Sequence, residues 1–377
     1  MEIHGLLSRP PDEGARLLAL GFLDQAAAAY PRLSDPADAE ALHDFRVALR
    51  RLRSCLRSYR PLLEASVPRK LAKKLRKLAQ ATGPGRDTEV QIEWLRPRAK
   101  HLAGAHRAGL SWLLARLEER MRGAYGELTE HLEAGFPGVE QKLRRRLSVY
   151  RTEVHLDPSG RRPTLADATA EILRGQIAEL ETHLARIEES GDEHEAHEAR
   201  ISAKRLRYLL EPFAGELAPA GPVVKRLKAV QDLLGELHDA HVLETELRES
   251  IDIAAAERAR KLFDVSLQEV PDEQILRAER RRSRESGLIA LARLNRNRRD
   301  RLFDRLEKEW LEGAAADFLR DVEQLAEALG SAPAAPQPSA DGAPGGPSPP
   351  APIGANFAVS GSGVKDDKDS KDAKDAG

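Results

Sequence analysis

The feature of this chain that most constrains its fold is an internal repeat of two segments. HDFRVALRRLRSCLRSYRPLL at 43–63 matches HEARISAKRLRYLLEPFAGEL at 197–217, an offset of 154 residues. KKLRKLAQATGPGRDTEV at 73–90 matches KRLKAVQDLLGELHDAHV at 225–242, an offset of 152 residues. Because the two pairs follow in the same order at nearly the same offset, the simplest account is two related units that face each other.

The spacing of the apolar residues predicts that both units are built from α-helices. Leu, Ala, Arg and Glu recur at helical spacings, while charged residues make up 32% of the chain and aromatic residues only 4%. This balance is typical of amphipathic helices and argues against a β-sandwich or a barrel. No alternating run of useful length suggests strands, so we predict an all-α fold.

Proline and glycine residues divide the chain into the predicted helices. In the first half we expect helices at about 35–60, 67–81, 87–97 and 101–134, then another to about residue 151, with breaks at Pro61, at Gly83-Pro84-Gly85 and at Gly135 and Pro137. In the second half we expect helices at about 164–189, 192–215, 221–249, 252–268 and 272–328.

The segment HLDPSGRRP at 155–163 is the predicted domain boundary, because it holds two Pro and a Gly between periodic stretches. We expect a first helical bundle over 1–158 and a second over 159–330. After Gly330 the composition changes to Pro, Ala, Gly and Ser. Such a segment buries too little apolar surface to offset its ordering entropy, so 331–377 is predicted to be a disordered low-complexity tail.

A continuous basic stripe follows one face of the first repeated helix. Residues three or four apart project from the same face, and this spacing joins His43, Arg46, Arg50, Arg53, Arg57 and Arg60. An apolar stripe with the same spacing runs about 100° around the helix and contains Leu42, Phe45, Leu49, Leu52, Leu56, Tyr59 and Leu63. Between residues 43 and 77 there are twelve Lys or Arg and two acidic residues, so few local carboxylates can neutralise the basic face.

The second repeated helix keeps this basic pattern over four positions, His197, Arg200, Lys204 and Arg207. Its stripe is shorter, because Glu211 stands at the position equivalent to Arg57. The helix that follows is basic in both copies, with Lys73, Lys74 and Arg76 in the first and Lys225, Arg226 and Lys228 in the second. The recurrence predicts a cationic surface contributed by both halves of the chain.

The chemistry of these side chains suits a polyanion with a charge on every repeating unit. Arg grips phosphate oxygens with two parallel hydrogen bonds and keeps its charge, while Lys supplies mobile point charges. The formal net charge of the chain is only −1, so attraction for anions must come from the placement of the positive charges. Binding of this kind depends strongly on salt concentration, and His43 and His197 would strengthen it below a pH of about 6.5.

At these residues the chain resembles the conserved-histidine α-helical domain family, CHAD. HDFRVALRRLR is similar to the family's hallmark, a His followed by Arg-Val and an Arg-Arg-Leu-Arg run. LAQATGPGRDTEV is similar to its Leu-Gly…Arg-Asp turn, with Thr82 in place of the Leu. KRLRYLLEPF and LKAVQDLLGELHDAHV resemble the counterparts in the second half. The resemblance covers roughly residues 10–329 and rests on four motifs in order.

The resemblance implies two antiparallel four-helix bundles related by a pseudo-twofold axis, with a basic groove or central pore between them. It also implies non-catalytic binding of inorganic polyphosphate, often at polyphosphate granules. Carried over residue by residue, the binding set is His43, Arg46, Arg50, Arg51, Arg53, Arg57, Lys73, Arg76, His197, Arg200, Lys204, Arg205, Arg207, Lys225 and Lys228. Asp87 and Asp239 are expected to be structural, as caps of helix N-termini and as local Arg partners.

Two other functions, nucleic-acid binding and catalysis, agree less well with the sequence. A nucleic-acid-binding protein could use the same stripes on phosphodiester backbones, but the low aromatic content and near-neutral charge argue against it. An enzyme is not expected, because the chain lacks a Gly-Lys-Ser/Thr phosphate loop and a Gly-x-Ser-x-Gly elbow. The Glu-x-Glu-x-Lys motif of the triphosphate tunnel domain, which is fused to some relatives, is missing too. No cofactor is predicted.

Two further patterns are expected to be structural. His194 with His197, and His238 with His241, have a spacing that can ligate a metal. Arg86 and Glu89 stand at the places of His238 and His241 in the first half, so no metal site is predicted. The basic runs RRRSRESG at 280–287 and RLNRNRRDR at 293–301 either extend the groove or are solvated helix faces, and we favour the second interpretation for most of their residues.

The remaining features predict a cytoplasmic protein without a membrane segment. Cys55 is the only cysteine, which excludes an internal disulfide and suits a reducing compartment. Residues 1–10 lack a basic region followed by an apolar run, and no stretch approaches about 18 uninterrupted apolar residues. The oligomeric state stays open.

Overall fold

The computed structural model describes residues 5–149 except 36 and 39, then 162–267, 274, 277 and 284–331. The α-helices are α1 (Pro11–Ala29), α2 (Ala41–Ser58), α3 (Arg60–Leu63), α4 (Arg69–Ala81), α5 (Gly83–Leu95), α6 (Arg107–Leu147), α7 (Leu165–Leu184), α8 (Glu193–Leu210), α9 (Ala220–Ser266), α10 (Arg284–Leu306) and α11 (Ala314–Gly330). Short 3₁₀ helices occur at Tyr30–Ser34, Arg96–Lys100, Gly104–His106 and Glu211–Phe213, and a π-helical turn occurs at Glu307–Leu311. Every regular element of the described residues is helical, which confirms the all-α prediction.

Two predicted helix breaks are wrong. α6 continues through Gly135 and Pro137, and α9 runs unbroken past the expected end near residue 250. Pro normally ends or kinks a helix, because it lacks an N–H and clashes with the preceding turn. Phe136, beside Pro137, packs against Tyr30 with ring centroids 4.9 Å apart and edge-on against Phe45 at the same distance. This aromatic packing favours a continuous helix over the local preference of the proline.

The predicted break at Gly83-Pro84-Gly85 is confirmed, because α4 ends at Ala81, but the segment itself already begins the next helix. It forms the first turn of α5, where the missing N–H of Pro84 costs no helical hydrogen bond. Asp87 and Asp239 therefore lie inside α5 and α9, and the prediction that they cap helix N-termini is wrong. α1 was not among the helices predicted from the sequence. The predicted boundary at 155–163 and the predicted tail lie mostly outside the described residues.

The larger hydrophobic core is shared by the two halves of the chain. In the first half α1 packs on α2, and α4 packs on α6 and α2; in the second, α7 packs on α8 and α11, and α8 on α9. The halves meet where α1 contacts α7 and α2 contacts α8. Their buried apolar residues form one continuous cluster, and the Tyr59 and Thr169 hydroxyls hydrogen-bond across it at 2.8 Å. The predicted apolar stripe of α2 lies in this core, with Phe45 and Leu52 fully buried.

A smaller core lies where α5, α6, α9 and α10 meet. It contains Leu95, Leu113, Leu247 and Leu291, among other residues. The sole cysteine, Cys55, is buried in the larger core, and burial raises the pKa of its thiol. None of the helices in the described part of the chain combines the length and the hydropathy needed to cross a membrane.

Candidate functional site

Direct packing of α2 on α8 brings the two predicted basic stripes together around one aromatic ring. The guanidinium carbon of Arg50 lies 5.6 Å from the ring centroid of Tyr208, and that of Arg207 lies 4.7 Å from it. Arg207 Nη2 also donates a hydrogen bond to Tyr208 Oη at 3.0 Å. Tyr208 was not a predicted site residue, although it lies within the repeated motif directly after Arg207.

A group of arginines with like-charged neighbours continues along α2 toward α4. Burial lowers the pKa of the half-buried Arg53 guanidinium, and the positive charges of Arg76 and Arg50 lower it further. Only the phenol of Tyr208 acts in the opposite direction. Guanidinium groups keep their charge in proteins, so this part of the structure holds several positive charges close together.

Arg57, on the next turn of α2, lies close to the positive charge of Arg205 on α8. The pKa of Arg57 is lowered first by burial and then by Arg205 and Arg53, while Glu179 and Glu198 act in the opposite direction. Arg205 Nη1 is paired with Glu179 Oε2 at 3.0 Å. Positive charge from the second half therefore reaches the stripe of the first half, and the carboxylates of Glu179 and Glu198 partly neutralise it.

Arg51 is held in a contact between the two halves of the chain. Its guanidinium forms an ion pair with Glu211, which follows α8. Glu211 is the residue that interrupts the basic stripe of the second repeat. The interruption therefore provides an internal partner for Arg51.

A groove of about 1050 Å³ opens between α2, α3 and α4. Its basic lining consists of Arg53, Arg57, Arg60, Arg69, Lys73 and Arg76. Leu56, Leu63 and Leu75 contribute apolar surface, and Glu64 is the one carboxylate among its described lining residues. Arg60 and Arg69 belong to this groove although the predicted binding set omitted them; the high count of basic residues between 43 and 77 was the signal for both.

Several predicted binding residues have little accessible surface. Arg200 is fully buried, while Arg46 and Lys204 are each 7% exposed. Arg46 lies near Tyr125, whose pKa burial and the nearby Glu89 raise to about 12, with Arg46 acting in the opposite direction. Arg46, Arg200 and Lys204 are therefore buried below the surface of the protein.

The remaining predicted residues lie away from the groove lining. His43 is half-buried on α2. Lys225 and Lys228 lie on α9, where their neighbour Arg226 pairs with Asp321 of α11 at 2.6 Å.

The histidines of the second half lie close together. The rings of His197 and His238 are 4.7 Å apart between centroids, and His241 Nε2 lies 2.9 Å from the carbonyl oxygen of Ser190. Within the described residues, no group of three or more His, Cys, Asp or Glu side chains is placed to hold a metal ion.

Comparisons with known proteins agree with the helical fold. The chain matches the model of the CHAD domain family over residues 18–248, more than half of its length, and it belongs to that family. It is similar to the crystal structure of the CHAD domain from the plant Ricinus communis, with a TM-score of 0.52 and 23% identity. The match covers 75% of this chain and 92% of the plant chain, and at this identity it concerns the fold alone. No curated protein matches the chain.

Proposed function

We propose that this protein binds inorganic polyphosphate without catalysing a reaction on it. The observation that carries the proposal is the groove, whose described lining holds six basic side chains and a single carboxylate. A polyanion laid along these side chains would supply the negative charge that relieves the repulsion. The binding surface is the lining of the groove with Arg205 beside it, while the buried Arg200, Lys204 and Arg207 add positive charge from within the protein.

The shape of the site suits a linear polymer better than a compact anion. Arg50 and Arg57 are seven residues apart within α2, and a helical rise of 1.5 Å per residue makes this about 10 Å. Lys73 and Arg69 continue the positive charge on the opposite wall of the groove. Several contacts of moderate strength along a charged polymer release counterions, so the affinity should fall steeply as salt is added.

The proposal includes the arrangement and location that the family resemblance implies. Two four-helix bundles, α1, α2, α4 and α6 in one and α7, α8, α9 and α11 in the other, would face each other across the basic surface. The packing pairs within each group, and the α1–α7 and α2–α8 contacts between them, support this arrangement. Polyphosphate binding in the cytoplasm would bring the protein to polyphosphate granules.

Binding of labelled polyphosphate to the full chain at fixed ionic strength tests the proposal. Arg57 and Lys73 both line the groove and keep exposed surface, so reversing their charges should leave the helices intact. We expect the variant Arg57→Glu with Lys73→Glu to bind about 100-fold more weakly. Its control is Lys142→Glu with Arg145→Glu, the same change of net charge on the exposed surface of α6.

Three outcomes would contradict the proposal. An equal loss of affinity in both variants would show that only the net charge of the protein matters. Displacement of labelled polyphosphate by DNA or RNA at equal phosphate concentration would favour a nucleic-acid-binding protein. The absence of aromatic rings among the described lining residues of the groove argues against that alternative, because single strands need stacking platforms. Release of phosphate in the presence of Mg²⁺ would indicate an enzyme.

A further inference from the structure

A second basic pocket, of about 340 Å³, lies on helices that do not line the groove. It is formed by α5 and the 3₁₀ helix that follows it, by α9 and by α10. Arg98, Arg298 and Arg301 contribute three positive charges, and Glu236 is the one carboxylate among its described lining residues. Arg298 and Arg301 come from the basic run at 293–301, for which the sequence favoured solvated helix faces.

The arginines of this pocket are only partly neutralised by the protein. Arg298 and Glu236 are 3.9 Å apart, longer than a hydrogen bond, and only 16% of the Arg298 side chain is exposed. Its pKa is lowered, first by burial and also by Arg98, even though Asp239 and Glu236 raise it. Burial and Arg301 also lower the pKa of Arg98. Three guanidinium groups therefore stand against the lining carboxylate of Glu236 and the nearby carboxylate of Asp239, which leaves an excess of positive charge at the pocket.

An indole ring distinguishes this pocket from the groove. The guanidinium carbons of Arg98 and Arg298 lie 4.2 Å and 5.3 Å from the centroid of Trp94. The indole nitrogen is buried and has no hydrogen-bond partner in the described structure. Packing and the two cations hold the ring, so a ligand that draws either guanidinium away will change the environment of Trp94.

We propose that this pocket is a second anion site, which takes a small molecule with a terminal phosphate or diphosphate group. The guanidinium groups of Arg98, Arg298 and Arg301 would bind the phosphate oxygens, and Trp94 and Leu294 would contact the remainder of the ligand. The volume lies in the range of small-molecule pockets. The inference goes beyond the proposed function and does not depend on it, because the groove and the pocket share no lining residue.

Titration of the full chain with inorganic pyrophosphate and with ADP, each followed by calorimetry and by tryptophan fluorescence, tests this site. We expect saturable binding of one molecule per chain and a change in emission that the variant Trp94→Phe lacks. Arg301 lies at the exposed edge of the pocket, and Arg301→Gln should weaken binding about tenfold. The control is Arg305→Gln, one turn further along α10, where Arg305 pairs with Glu309 outside the pocket.

The two ligands distinguish the sources of the phosphate group. Equal affinities would assign the site to the phosphate group alone, whereas tighter binding of ADP that is lost in Trp94→Phe would assign it to a nucleotide. A failure of this proposal can be distinguished from a failure of the groove proposal, because the variant Arg301→Gln should keep its affinity for long polyphosphate.

Three results would overturn the proposal. The first is the absence of saturable binding for both ligands. The second is an equal loss of affinity in Arg301→Gln and Arg305→Gln. The third is pyrophosphate binding that Arg57→Glu with Lys73→Glu removes and Arg301→Gln retains, since the small anion would then occupy the groove.

Discussion

The groove and the region around Glu246 both contain arginines, but the charges that surround these arginines differ. Around Glu246 the neighbouring charge is negative, whereas in the groove it is mostly positive. Both terminal nitrogens of Arg120 donate hydrogen bonds to the buried Glu246 carboxylate, each at 2.7 Å. That hydrogen bonding raises the pKa of Arg120. In the groove the pKa of Arg53 is lowered instead, by burial and by neighbouring arginines.

The difference shows that arginine content by itself does not identify an anion site. Around Glu246 the partner of the cation belongs to the protein, so the interaction stabilises the fold. Along the groove six basic side chains and one carboxylate form the charged part of the described lining, so a bound anion would add negative charge where the protein supplies little. The local ratio of guanidinium to carboxylate groups decides between these roles.

Removing the internal carboxylate should have the largest effect. Glu246→Ala leaves Arg120 without its acceptor, and we expect a loss of roughly 2–3 kcal/mol in the free energy of unfolding, measured with urea. Part of the Arg120 side chain faces water, which keeps the loss below that of a fully buried pair. The control is Glu119, the exposed neighbour of Arg120. Glu119→Ala should change the free energy of unfolding by less than about 0.5 kcal/mol. Similar losses in both variants would mean that the pair is not a stabilising contact.

Neutralising groove cations should weaken binding with a smaller change in free energy. We expect Arg57→Gln with Lys73→Gln to lower polyphosphate affinity by about 1–2 kcal/mol and to reduce the slope of log K against log salt by up to about 2. The matched control is Arg120→Gln, a cation that Glu246 already neutralises. If Arg120→Gln reduced the slope as much, the distinction between the two regions would not hold.

The same neutralisation should not destabilise the folded chain. Removing one positive charge from a group of like charges relieves repulsion, so Arg57→Gln should raise the free energy of unfolding by about 0.3 kcal/mol at low salt. The gain should disappear near 1 M salt, where the screening length is about 3 Å. Urea titrations at the two salt concentrations measure this difference, and a loss of stability that does not depend on salt would contradict it.

The free energy of unfolding should depend on pH through the carboxylates that are paired with arginines. Asp38 accepts a hydrogen bond from Arg32 at 2.7 Å, which holds the pKa of this carboxyl below its usual value. A lowered pKa in the folded chain contributes stability at neutral pH, and this contribution is lost as the pH falls below about 4. Asp38→Asn should therefore flatten the loss of stability between about pH 4 and pH 2. Arg57→Gln should leave that slope unchanged, and a slope altered by both would contradict the assignment.

Much of α2 could be predicted from its sequence, because the features depend on neighbours three or four residues apart. The apolar residues from Phe45 to Leu63 lie in the core, and Arg53 and Arg57 line a groove, as their spacing indicates. Pro137 shows the limit of such reasoning. Its local preference ends a helix, but the rings of Tyr30 and Phe45, which come from distant parts of the chain, pack against the next residue of α6.

The site was less predictable than the helices, because burial depends on which elements cover a face. Arg200 and Lys204 repeat the spacing of Arg46 and Arg50, yet Arg200 is fully buried and Lys204 nearly so. The stacking of Arg50 on Tyr208 joins residues 158 positions apart in the chain, and no local pattern indicates such a contact. The pocket at Trp94 was missed for the same reason, since α5, α9 and α10 all contribute to it.

The sequence by itself determined that the chain is helical, that it repeats, and that basic stripes run beside apolar ones. These properties follow from periodicity, which is a local consequence of 3.6 residues per helical turn. Only the tertiary structure decided which cations meet other cations and which meet carboxylates. That outcome depends on distances between helices far apart in the chain, because charges interact strongly only when folding brings them within a few ångströms and away from water. The stripes that look alike in the sequence therefore differ in the folded chain. Arg53, Arg57 and Arg60 of the first line the groove, whereas Arg200, Lys204 and Arg207 of the second are buried.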